Sequence, residues 1–77
     1  MTVLALTKVN DQVVSVRMAD GLLVGNLKWI GNTWKFKALG FDADGNVVPG
    51  GGPLTNRHNT SFTQADAVEV SAKLLPP

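Results

Sequence analysis

The sequence lacks several features that would restrict its class. It contains no cysteine, so no disulfide reinforces the modest core that a chain of 77 residues can bury. It contains no apolar run near the roughly 20 residues of a membrane span, so a membrane protein is not expected. Its net charge is only +1, which argues against binding by bulk charge. With 44% hydrophobic and 17% charged residues, the composition predicts one small globular domain over residues 1–77.

The sequence is also poor in residues that bind metals or perform catalysis. His58 is its only histidine, and no thiol or second imidazole stands at a ligand spacing, so we predict no metal site and no cofactor. An acid–base role for His58 would need a carboxylate partner such as Asp42, Asp44 or Asp66, together with a nucleophile that no motif marks. We therefore predict no catalytic residue, and an enzyme is the least favoured class. The apolar start, residues 1–7, lacks the basic beginning and the length of a secretion signal, so a cytoplasmic protein is expected.

The strongest pattern that is present is a β-hairpin over residues 22–41. Two runs rich in β-branched and aromatic residues flank Gly31-Asn32, a pair that suits a tight primed turn. A two-residue loop there pairs Trp29 with Trp34 and puts both on one face. The other residues predicted on this core face of the hairpin are Leu23, Leu27 and Phe36.

Asp20-Gly21 is a second hairpin signal, earlier in the chain. Read as a two-residue loop, it joins a strand over 12–19 to the hairpin and pairs Met18 with Leu23. That register also places Val14 and Val16 on the face of the two tryptophans, so both turns predict the same core face. A first strand is predicted over 2–8 and a short one over 46–48, which Pro49 ends.

The last segment allows two readings. Thr63-x-x-Asp66 has the form of a capping box, and Pro76-Pro77 closes the run, which favours a helix over 63–75. Residues 68–74 alternate between apolar and polar, which favours a strand. A sheet needs a cover for its core face, and a helix supplies one best. The predicted fold is therefore α+β: a four-stranded antiparallel β-meander over 1–49, a glycine-rich and polar loop over 50–62, and a C-terminal helix packed on the tryptophan face.

Two surfaces are candidate sites. The first is the outer face of the sheet, which collects four cations without an acid on the same strand positions: Arg17, Lys28, Lys35 and Lys37. Such a face can contact phosphates, although charges also keep an exposed sheet soluble. The second is the loop from Gly50, where amides of glycines and a nearby guanidinium could hold an anion, although such a stretch can also be a plain connection. Its candidate residues are Gly50, Gly51, Gly52, Arg57 and His58.

These features predict a noncatalytic protein-interaction module, with an unknown protein partner or as a homodimer. The apolar surface expected to carry that contact lies on the outer face and consists of Leu4, Leu6, Val24 and Leu39. The alternative is a weak nucleic-acid or anion binder that uses the basic face and the Arg57/His58 loop. The two tryptophans would contact a ligand only if the helix left them uncovered.

Overall fold

The protein folds as an antiparallel sheet with one helix, as seen in a computed structural model that describes residues 4–75. The predicted first strand begins at Thr2, and its first two residues lie outside this range. The elements are β1 (Ala5–Asn10), β2 (Val13–Arg17), β3 (Leu23–Ile30), β4 (Thr33–Phe41), β5 (Val47–Pro49), a 3-10 turn (Thr55–Arg57), β6 (Ser61–Phe62) and α1 (Ala67–Leu74). The strand order β1-β2-β3-β4-β5 follows the chain, and β6 also pairs with β4. The predicted α+β meander is confirmed, with five strands in chain order and not four. The strand β5 corresponds to the short strand predicted over 46–48, and β6 is an additional strand.

The β3–β4 hairpin has the predicted register. Ile30 is opposite Thr33, Trp29 is opposite Trp34, and the pairing continues to Gly25 and Ala38. Gly31 has a φ of +64°. A positive φ at the first loop residue alone is the pattern of a type II′ turn, whose twist matches that of the strands.

The turn between β2 and β3 differs from the prediction. The N–H of Gly21 donates to the carbonyl of Met18, and the N–H of Met18 donates to the carbonyl of Leu22. The loop therefore has three residues, 19–21, and Met18 is not paired with Leu23. A bulge at Val24 then restores the predicted pairing of Val16 with Gly25. Because the bulge adds a residue, Val24 is buried in the core and not on the outer face.

The last segment is a helix, but a shorter one than predicted. Asp66, and not Thr63, caps it: Oδ2 of Asp66 accepts the N–H of Glu69 at 3.1 Å. The alternation over 68–74 does not make a strand. The buried positions on α1 are Val70, Ser71 and Leu74, which share one helical stripe. Oγ of Ser71 accepts the N–H of Leu4 at 2.8 Å and so joins the helix to the start of β1.

The core lies between this helix and one face of the sheet. Two predictions about it were wrong. Leu4 and Val24, expected in an outer apolar patch, are both buried. Trp29, expected beneath the helix, is 40% exposed, and Trp34 is half-buried at the margin of the core. The buried apolar residues are Leu4, Val14, Val16, Val24, Leu27, Phe36, Ala38, Leu54, Phe62, Val70 and Leu74.

Candidate functional site

The core face is not fully covered at the end where the β3–β4 turn lies. Trp29 and Trp34 are cross-strand neighbours whose ring centroids are 5.4 Å apart, and the rings meet edge to face at 64°. The helix covers other parts of this face and leaves Trp29 40% exposed and Trp34 half-buried, so the aromatic pair is partly open to solvent.

A groove of about 400 Å³ begins beside Trp34. Its floor is apolar and its margin carries two opposite charges, Lys8 and Asp11, whose side chains form an exposed ion pair at 3.0 Å. Most of its lining comes from β1 and the turn after it, and the rest from three separate parts of the chain. The lining residues are Leu6, Lys8, Asn10, Asp11, Val14, Trp34 and Ala65.

This groove was not predicted from the sequence, although one signal for it exists. Alternation along β1 places Lys8 on the same face as Leu6, because both are paired with buried residues of β2, Val14 and Val16. A lysine on the core side of a strand indicates that the cover ends there. No pattern in the sequence indicates that Ala65 lines the groove, because its position depends on how the chain turns into α1.

The structure brings the four predicted cations to one face of the sheet. Lys28 lies directly opposite Lys35, and Lys37 follows two residues later on β4. Arg17 is on β2, where alternation places it on the face opposite to the buried Val14 and Val16. The four cations of the predicted outer basic face, Arg17, Lys28, Lys35 and Lys37, therefore share one face and lie on three neighbouring strands.

Charge is strongly segregated between this face and the rest of the molecule. The chain has seven basic and six acidic side chains, all within the described residues. Four basic ones lie on the outer basic face and the acids lie at turns or in and just before α1. The remainder thus has three basic and six acidic side chains, or a charge of −3, against +4 on the face.

Two cations of the face have internal partners, and the other two have none in the part of the chain that the structure describes. Arg17 donates to the carbonyl of Gly21 at 3.0 Å, and Nζ of Lys37 donates to Oδ1 of Asn59. Within residues 4–75, neither Lys28 nor Lys35 forms an ion pair. Like charges directly opposite each other on two strands repel, so an anion bound between these lysines would relieve an unfavourable contact.

The glycine loop packs against the sheet. Gly50, Gly51 and Gly52 all have a positive φ, and a Cβ on Gly52 would lie 2.3 Å from the carbonyl oxygen of Leu39. The N–H of Gly50 donates to the carbonyl of Ala38, and the N–H of Gly51 donates to Oγ1 of Thr55. Two of the three amides that were predicted to hold an anion are thus engaged within the protein.

The polar residues after this loop complete the edge of β4. The carbonyl of Thr60 accepts the N–H of Phe36, and the N–H of Asn59 donates back to the carbonyl of Phe36 at 2.7 Å. Further along, Nδ1 of His58 accepts the N–H of Ala38 at 3.0 Å. The imidazole therefore takes the place of a backbone carbonyl between β6 and β5. The polar composition of this stretch has a structural explanation.

Arg57 lies next to His58 but does not join a pocket with it. Its side chain is exposed, and its carbonyl accepts the hydroxyl of Thr60 at 2.6 Å. His58 is bonded to a backbone amide and to no carboxylate among the residues that the structure describes. The Arg57/His58 loop thus offers an exposed guanidinium that shares no pocket with the imidazole.

Comparisons with family models, with curated proteins and with solved structures gave no match to this chain. In the described part of the chain, α1 is too short to cross a membrane, and no other helix approaches that length. The arguments about function therefore depend on the geometry above.

Proposed function

We propose that this protein is a noncatalytic protein-interaction module that binds its partner at the uncovered end of the core face. One observation carries the proposal: the helix leaves Trp29 40% exposed and leaves Trp34 in the wall of a groove of about 400 Å³. Aromatic side chains bury much apolar area with few rotatable bonds, and they dominate the energetics of protein interfaces. The outer apolar patch first expected to carry this function does not exist, because Leu4 and Val24 are in the core.

The noncatalytic class is supported by the environment of His58. A general acid or base must reach a reacting group, and here Nδ1 is bonded to a buried backbone amide. The groove has no histidine among its lining residues and offers only the paired Lys8 and Asp11. Its chemistry is suited to contact and not to proton transfer.

The proposal can be tested by selection from a library of random ten-residue peptides displayed on phage, using the whole chain as bait. We expect selected peptides to change the tryptophan fluorescence and to lose affinity at least about tenfold in Ala65→Arg, which fills the groove. Ala72→Arg is the matched control, because Ala72 is exposed on α1 and lies outside the groove. A selection without enrichment, or peptides that bind Ala65→Arg as tightly as the unaltered protein, would contradict the proposal.

A second candidate function is weak binding of a polyanion on the outer basic face. The observation in its favour is the segregation of charge, with four cations and no acid on this face. Lysine acts as a point charge, and Phe41, the aromatic residue that alternation along β4 puts on this face, lies four residues beyond Lys37. We therefore expect contacts to phosphates without sequence preference.

This candidate predicts a specific salt dependence. Binding to a 20-nucleotide single strand of mixed sequence should weaken as salt rises, and Lys28→Gln or Lys35→Gln should each lower the slope by about one unit. Lys8→Gln, which removes a charge outside the outer basic face, should leave the slope nearly unchanged. The absence of binding at low salt, or equal effects of all three variants, would exclude this function.

A further inference from the structure

Among the described residues, the groove lies beside a long edge of the sheet that no other strand covers. Within residues 4–75, β2 pairs with one side of β1 and nothing pairs with the other. The opposite edge, on β4, is occupied by β5, by β6 and by the side chain of His58. Unpaired N–H and C=O groups along an edge strand form a template for an additional strand.

The alternation of backbone groups identifies which residues of β1 present that template. The N–H of Trp29 donates to the carbonyl of Gln12, so Trp29 and Leu27 direct their backbone groups toward β2. Following the registers outward, Val14 points to β3 and Ser15 points to β1. Thr7, the partner of Ser15, points to β2. The backbone groups of Leu6 and Lys8, on either side of Thr7, therefore point to the free edge.

These two residues also supply side chains to the groove. In an antiparallel pair, directly opposed residues have their side chains on the same face of the sheet. A strand added to β1 would therefore hydrogen-bond to Leu6 and Lys8, and its residues opposite them would direct their side chains toward the groove. The template and the groove are thus two parts of one surface.

We infer that β1 and the groove together bind an extended peptide segment of a partner protein, which joins the sheet as an additional antiparallel strand. This inference depends on the proposed interaction function and specifies its ligand. Main-chain hydrogen bonds give such a complex much of its affinity, and the pocket beside the edge gives its specificity. The segment places every second side chain in the groove and the others on the outer face.

The charges on the two faces specify the chemistry of the segment. The ions at the groove margin, Lys8 and Asp11, neutralise each other, and the floor is apolar, so the groove takes an aliphatic or aromatic side chain. The intervening side chains of the segment would lie beside Ala5 and Thr7, on the face that carries Arg17 and the three lysines without an acid. Acidic residues suit these intervening positions by charge complementarity.

The test uses peptides obtained from the selection above. N-methylation at the positions that face the groove removes the N–H groups that point to β1, and we expect it to weaken binding at least about tenfold. N-methylation at the intervening positions removes N–H groups that point to solvent and should change affinity less than about twofold. Replacing the intervening acids by lysine should weaken binding, and added salt should reduce this effect.

A pair of protein variants tests the same contact from the other side. Lys8→Pro removes the N–H that faces the free edge, a change that an edge strand tolerates, whereas Lys8→Thr removes the same charge and keeps the N–H. We expect Lys8→Pro to bind the selected peptides about tenfold more weakly than Lys8→Thr does, with the unfolding midpoint of each variant as the control for folding. If Lys8→Pro does not fold, the N-methylated peptides decide the question on the unaltered protein.

The outcomes separate the inference from the function on which it depends. Peptides that lose binding in Ala65→Arg but respond equally to both N-methylation patterns would overturn strand addition and leave the interaction function standing. Equal binding by Lys8→Pro and Lys8→Thr would also overturn it. A selection without groove-dependent peptides would overturn both.

Discussion

Gly52 occupies one of the most constrained backbone positions in the chain. Its φ is +77°, and a Cβ there would lie 2.3 Å from the carbonyl oxygen of Leu39 and 3.1 Å from Cα of Gly40. Both neighbours are backbone atoms of β4 and cannot move aside as a flexible side chain would. Glycine is required at this position for two independent reasons, conformation and close approach.

We expect Gly52→Ala to lower the free energy of unfolding by more than about 2 kcal/mol, since the clash with β4 adds to the cost of a positive φ. Gly45→Ala is the matched control. Gly45 also has a positive φ, +83°, but nothing lies within 4 Å of its Cβ position, so only about 1 kcal/mol should be lost. Urea unfolding measures both, and equal losses would show that the loop is not packed on the sheet.

His58 is the second position where one residue has a defined structural task. The N–H of Ala38 is in a residue that is 1% exposed, and its acceptor is Nδ1 of the histidine. A buried N–H without an acceptor costs free energy, so the side chain stabilises the fold at an edge where no carbonyl is available.

His58→Ala should therefore lower stability by about 1–2 kcal/mol and speed the hydrogen exchange of the Ala38 amide. Arg57→Ala is the control, because its side chain is exposed and it neighbours the same segment; it should change stability by less than about 0.5 kcal/mol. Unchanged exchange at Ala38 in His58→Ala would refute the structural role of the imidazole.

The turn between β4 and β5 shows how a short element depends on one carboxylate. Oδ1 of Asp42 accepts the N–H groups of Asn46 and Asp44, each at 2.9 Å. The bond from Asn46 is the largest cause that lowers the pKa of Asp42 below its usual 3.8, and the bond from Asp44 acts in the same direction.

Because the pKa is lower in the folded state, the carboxylate contributes stability above pH 3.8, and this contribution is lost as pH falls through the folded pKa. Asp42→Asn should therefore flatten the dependence of the unfolding midpoint on pH below about 4. Asp44→Asn, which changes a neighbouring carboxylate of the same turn, should keep the acid dependence due to Asp42. An Asp42→Asn profile that matches the parent protein would contradict the assignment.

The β3–β4 hairpin contains two tryptophans with different surroundings. Trp34 packs against the core and lines the groove, whereas Trp29 is 40% exposed. The two form one edge-to-face pair, so part of their contribution to stability is shared.

Trp34→Ala should cost about 3 kcal/mol and Trp29→Ala about 1 kcal/mol, because the first removes more buried area. The double variant should cost about 1 kcal/mol less than the sum, which measures the contact between the rings. Ile30→Ala, at the exposed end of the same strand, is the control and should cost less than either. If Trp29→Ala lowered the free energy of unfolding as much as Trp34→Ala does, the core face would be covered at the end where the β3–β4 turn lies.

At the scale of the whole molecule, the distribution of charge is unfavourable for stability. The outer basic face carries +4 and the rest of the protein carries −3, so the charged side chains on this face have neighbours of the same sign and not of the opposite sign. Lys28 and Lys35 face each other directly, the least favourable pairing for two cations on a sheet. Natural proteins retain such costs at positions where they bind ligands.

Lys35→Glu should raise the free energy of unfolding by about 0.5 kcal/mol at low ionic strength, because it replaces a repulsion with an attraction. Lys35→Gln, which only removes the repulsion, should give a smaller gain, and salt should reduce both gains. Thermal unfolding at two salt concentrations measures this series. A stability loss in both variants would mean that the lysine side chain packs on the sheet more than it repels its neighbour.

The sequence by itself determined the features that depend on local backbone preference and on alternation. Gly31-Asn32 set the turn and register of β3 and β4, and alternation from that turn put Lys28, Lys35 and Lys37 on one face. The N-terminal boundary of α1 did not follow from the sequence, because Thr63 and Asp66 are both good caps and only Asp66 begins the helix.

Tertiary structure decided where the cover of the sheet ends and what closes its edges. The bulge at Val24 follows from a three-residue loop, and the glycine of that loop, Gly21, would also suit a two-residue turn. The local pattern therefore could not predict that Val24 is buried. The exposure of Trp29 depends on how much of the face α1 can cover, which is a matter of length and docking. His58 acquires its role because folding brings its side chain to the N–H of Ala38. That residue lies 20 positions earlier in the chain, and no strand supplies an acceptor for its N–H. Such long-range matches of donor and acceptor depend on the packed chain, because no short segment of the sequence contains both partners.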